Sequence, residues 1–73
     1  MTIYLLMNKV HTLRFYTTLA AKCYREGKQY YSIFEDKALA SLETLLDVDY
    51  IPKDEYTELS EQLCHVFRMY KRH

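Results

Sequence analysis

Three arrangements of side chains in this sequence have residue types that could do chemistry. Glu58, Glu61 and His65 share one face of a helical stretch, with Glu61 and His65 a single turn apart. Carboxylates and imidazole together bind zinc or iron, but carboxylate-bridged metal bundles use Glu-x-x-His directed into the core. Here the spacing is one residue longer and the face is polar, so a solvated pair is expected. Cys64 and His65 are adjacent, and helical neighbours diverge by about 100°, which prevents a thiolate–imidazole pair between them. No glycine-rich phosphate loop, serine elbow or inward acid pair accompanies these groups. The expectation is a non-enzymatic protein with no catalytic residue, metal or cofactor.

The third arrangement is Arg68-Met69-Tyr70-Lys71-Arg72-His73. An Arg separated from a His by four residues resembles the Arg-x4-His element of HEPN-type ribonucleases, which implies a helical dimer with residues meeting at a cleft. The resemblance covers six residues, and no family is assigned on it.

The chain that carries these groups has 73 residues, so one domain over 1–73 is expected. Ten Lys+Arg balance ten Asp+Glu, which argues against coating nucleic acid with indiscriminate positive charge. Apolar residues reach 49% beside one Gly and one Pro, excluding a disordered or collagen-like chain. Cys23 and Cys64 show no metal-ligand spacing and read as small buried apolar groups. The apolar run Ile3–Met7 is broken by Asn8 and Lys9, too short for a signal sequence or a membrane span. A reducing cytoplasm without membrane contact is the expected setting.

Punctuation along the chain predicts an all-α, three-helix bundle with helices near 3–26, 33–48 and 52–71. Gly27 follows a basic last turn (Lys22, Arg25) and suits a left-handed C-cap. Ser32-Ile33-Phe34-Glu35 has the capping-box spacing, and Pro52 fits the first position of the third helix. In that helix Asp54, Glu55, Glu58 and Glu61 come early and Arg68, Lys71 and Arg72 late, as the macrodipole favours. Apolar stripes run through Ile3, Leu6, Val10, Leu13, Ala20 and Tyr24, with Thr17 as a polar gap. The second stripe is Tyr31, Phe34, Ala38, Leu42 and Leu45; the third is Tyr56, Leu59, Leu63, Val66 and Tyr70. Residues 2–7 are rich in β-branched and aromatic types and could be extended instead.

The first helix has an apolar surplus. Phe15, Leu19 and Cys23 recur at i, i+4, i+8 on a second face, with Tyr4, Leu5 and Tyr16 nearby. Eleven aromatics, eight of them Tyr, are many for one small core. Large exposed apolar patches mark association surfaces. A homodimer is therefore expected, with Tyr4, Phe15, Tyr16, Leu19 and Cys23 at the interface with a second copy or another protein. Chains of this size and type include small accessory regulators, some from phages and other mobile elements, which is an expectation from size alone.

Charge supplies the alternative reading. Lys9, Arg14, Lys22, Arg25 and Lys28 crowd the first 34 residues against Glu26, while residues 35–64 hold nine acids. His11, Arg14, Lys22 and Arg25 share an outward band that could follow a phosphate backbone, joined by Arg68, Lys71 and Arg72. A DNA- or RNA-binding regulator is thus the second reading. Against it, the acidic start of the third helix would meet phosphates in a helix-turn-helix arrangement.

Overall fold

The computed structural model describes residues 2–72, and these form four α-helices: α1 (Ile3–Lys9), α2 (His11–Glu26), α3 (Tyr31–Asp47) and α4 (Lys53–Lys71). The fold is all-α, as expected, yet four helices replace the expected three. The helix expected over 3–26 is broken at Val10, whose extended backbone (φ −115, ψ 101) separates α1 from α2. The break keeps its hydrogen bonds: Val10 N–H donates to the Leu6 carbonyl, and Arg14 N–H donates to that of Val10. No Gly or Pro marks it. Its cause is a phase shift, because Ile3, Leu6 and Met7 would lie some 60° round a straight helix from Leu13, Thr17 and Ala20. A bend lets both sets be buried, and all six are. It also carries α1 to α4, where Gln62 Oε1 accepts the Ile3 N–H at 2.8 Å. At the same end Thr2 Oγ1 caps the Leu5 N–H.

Gly27 ends α2 in the left-handed region (φ 70), and the Lys28 N–H reaches the Cys23 carbonyl at 2.9 Å. The left-handed cap expected there is present, closed by a Schellman pattern of hydrogen bonds. A Cβ at Gly27 would touch nothing within 4 Å, so Gly27→Ala isolates the backbone penalty. It should lower stability by about 1–2 kcal/mol, read as a drop in thermal midpoint of roughly 4–15 °C.

The expected capping box does not form. Tyr30, not Ser32, is the N-cap of α3, and Ser32 lies within the helix. Glu35 faces across the bundle instead, where it takes the Tyr24 hydroxyl and the Lys71 ammonium. Two tertiary donors outweigh one local N–H. At the other end Asp49 adopts φ 59 and closes α3 as glycine would, with Tyr50 N–H donating to the Leu45 carbonyl at 2.9 Å. Buried Ile51 anchors this turn, and Pro52 stands as the N-cap of α4, one residue before the position expected of it. Asp54 and Glu55 begin α4 and Arg68 and Lys71 end it, in the expected macrodipole order.

α2 and α3 form an antiparallel hairpin with the largest helix–helix interface, drawn close by the fully buried Ala20 and Ala38. α4 packs across this hairpin and α1 closes one end. The core holds Ile3, Leu6, Leu13, Leu42, Ile51, Leu59 and Leu63, all essentially inaccessible. The polar gap at Thr17 is buried but satisfied, since its hydroxyl donates to the Leu13 carbonyl at 2.8 Å. Among the described residues, no helix is long and apolar enough to cross a membrane.

Candidate interaction surface

The hairpin has two broad faces, and α4 covers one. On α2, Ala21, Thr18 and Arg25 border a groove shared with Tyr70 of α4, which marks the covered side. Phe15 and Leu19 project on the opposite flank. The Tyr24–Tyr31 ring contact (4.9 Å) and the Lys37–Tyr16 contact (5.8 Å) fix the antiparallel register of α2 against α3. In that register Leu19 stands beside Phe34, and the open flank of α3 carries Tyr30, Ile33, Phe34 and Lys37. Phe15 is 50% exposed, Tyr30 50% and Ile33 52%, while Leu19, Tyr16 and Phe34 are half-buried.

Aromatic contacts tie the patch together. Phe15 meets Tyr16 edge-on at 5.4 Å and stacks with His11 at 6.3 Å. Tyr30 meets Phe34 edge-on at 6.1 Å. Lys37 lies over the Tyr16 ring, so its stem and the ring shelter each other. The result is an amphipathic strip along the hairpin seam. The α3 half of it was not expected from the sequence. An apolar Ile33 directly after Ser32, out of phase with the Phe34–Ala38–Leu42 stripe, was the available signal.

The other expected interface residues divide. Tyr4 is exposed, but the bend at Val10 takes it away from Phe15 to a recess of about 360 Å³ with Ile3, Gln62, Val66, Glu58, Glu61 and His65. Cys23 is 5% exposed and belongs to the interior, so it offers a partner almost nothing. Cys64, expected to be buried, is exposed on α4, and both thiols are free. Tyr16, Phe15 and Leu19 stay together.

Glu58, Glu61 and His65 border the Tyr4 recess together, while Cys64 lies in a different one, between α3 and α4. Glu58, Glu61 and His65 are all exposed. Among the described residues no group of three His, Cys, Asp or Glu side chains is placed to hold a metal ion. His73, one end of the Arg68–His73 spacing, lies outside the described residues.

The basic residues are dispersed. His11, Arg14, Lys22 and Arg25 are exposed along α2, His11 with its ring stacked beside Phe15. Arg68 and Arg72 are exposed on α4, and Lys71 is paired with Glu35 at 3.2 Å. Arg25 borders a recess of about 360 Å³ with Tyr70 of α4, Lys28 one with Lys71, and Arg68 one with Glu35 of α3. Comparison with protein-family models, with curated proteins and with solved structures finds no match to this chain.

Proposed function

We propose that this protein is a non-enzymatic helical interaction module that pairs with a second copy of itself through the open flank of the α2–α3 hairpin. The pair then acts as a small accessory regulator that binds or occludes a partner protein. The observation carrying this reading is Phe15, half exposed and flanked by His11 and Tyr16 in an apolar strip that continues through Leu19 and Phe34. A fixed aromatic with its outer face in water loses little entropy on docking, and such residues anchor interfaces.

A second copy fits the strip. Glu26 and Lys37 are both exposed on this flank, roughly 15 Å apart along the seam by helical rise. A two-fold axis near Leu19 and Phe34 sets each against its opposite in the other copy. A dimer of ordinary size needs about 800 Å² from each protomer, a modest share of the 5072 Å² available. The nucleic-acid reading has less support, because Lys71 is paired with Glu35 and the remaining cations are spread over two helices.

Light scattering over a micromolar concentration series tests the proposal. The mass should rise from one chain to two, with a modest weakening at high salt as the Glu26–Lys37 pairs are screened. A mass fixed at one chain overturns the dimer. Binding to DNA or RNA that fades steeply with salt would favour the second reading in its place.

A further inference from the structure

Where α2 and α4 both end, the Lys71 ammonium lies 5.0 Å from the centre of the Tyr31 ring and 5.7 Å from that of Tyr24. Its Nζ is 3.2 Å from Glu35 Oε2, the oxygen that also accepts the Tyr24 hydroxyl. The two rings are 4.9 Å apart and inclined by 59°, so they form the walls of a corner with a carboxylate at its base. Two aromatic faces and an anion are the parts of an alkylammonium cage.

The receptor and its occupant differ in how firmly they are held. Glu35 is 17% exposed, and its partner Tyr24 is half-buried in the hairpin. Lys71 is 43% exposed and is the last residue of α4, followed directly by the C-cap Arg72. Terminal turns open most readily. Beside the corner a recess of about 340 Å³, bordered by Cys23, Gly27, Lys28, Gln29 and the two tyrosines, opens to solvent. An incoming side chain therefore has a route to the rings that does not cross the core. The corner offers one carboxylate and one pair of ring faces, already taken by Lys71, so entry of one ammonium goes with departure of the other.

We propose that Tyr24, Tyr31 and Glu35 form a binding site for the ammonium group of a lysine side chain. Lys71 fills it in the free chain, and a lysine from a partner protein replaces Lys71 on binding. The site is separate from the Phe15 flank and does not depend on dimer formation.

Two NMR measurements test it, using Nα-acetyl-lysine N-methylamide as probe and the norleucine analogue as uncharged control. In the unmodified chain the ε-methylene protons of Lys71 should be shifted upfield by the two rings. In Lys71→Ala the lysine probe should shift the Tyr24 and Tyr31 ring signals saturably at millimolar concentration. The unmodified chain should need at least about twofold more probe, because its tethered lysine competes at millimolar effective concentration for a site of millimolar affinity. Adding Glu35→Gln should abolish the response, and the norleucine analogue should give none. Lys71 methylene signals at ordinary positions overturn the proposal without any variant. So does a folded Lys71→Ala that responds equally to both probes or to neither.

Discussion

Replacing Leu63 by alanine should leave most of the chain unfolded at room temperature. Leu63 is 0% exposed, midway along α4, where it meets the core that Leu13, Leu42 and Leu59 share. Truncating such a leucine removes about 2–5 kcal/mol, part from lost transfer energy and part from the cavity left behind. A single core in a chain this small supplies only about 3–5 kcal/mol in all. The two figures are comparable, so one cavity is enough to exhaust the margin. Far-ultraviolet circular dichroism should show helicity collapsing, or a thermal midpoint displaced below ambient temperature. A melting curve superposable on that of the unmodified chain would mean that α4 is not the element closing the core.

Phe34 sharpens the comparison. On the sequence alone Phe34→Ala ranks with Leu63→Ala, since both fall on apolar stripes. In the fold Phe34 is half-buried at the seam, edge-on to an exposed Tyr30. Its truncation should therefore destabilise by less than that of Leu63, since a rim site can collapse or admit water.

That difference shows what periodicity can and cannot resolve. A stripe identifies the face that turns inward, and Leu59, Leu63 and Val66 on α4 are buried as their spacing requires, whereas Tyr56 is half-buried and Tyr70, at the end of the same stripe, is exposed. The Gly27 cap was legible because one residue type answers one backbone conformation. Val10 carries no such mark, since a β-branched residue is at home in extended backbone and in a helix alike. Only the drift in phase between Ile3–Leu6–Met7 and Leu13–Thr17–Ala20 betrayed the bend. Asp49 in a left-handed turn and Glu35 turned from its cap to Tyr24 and Lys71 depend on distant partners. No local pattern encodes those.

The candidate surface was legible to a similar depth. Phe15 and Leu19 stood out because one helix had more apolar faces than one core can use, and both retain exposure. Cys23 matched them in spacing but sits closer to the α3 side of α2, so the hairpin buries it. Tyr4 matched them only on a straight helix, and the helix is not straight. The contribution of Tyr30 and Ile33 depends on the register between two helices, which a single sequence does not display.

If the chain pairs as proposed, Phe15→Asp should convert the dimer to a monomer without loss of helicity. The side chain is half in water and outside the core cluster, so its removal opens no cavity. Aspartate keeps the helix, at a propensity penalty of at most about 0.7 kcal/mol. At the interface the same change removes an aromatic anchor and introduces two carboxylates, one per protomer, into a desolvated strip. Anchor residues of this kind are worth about 2 kcal/mol or more, and the repulsion of buried like charges adds to that. The dimer dissociation constant should rise at least about thirtyfold. Phe15→Ala, which removes the ring but adds no charge, should fall between the two. Leu19→Asp gives an internal check, because Leu19 lies nearer the core. If Leu19→Asp alone lowers helicity while Phe15→Asp changes neither mass nor helicity, the flank serves the monomer's own packing and the pairing proposal is refuted.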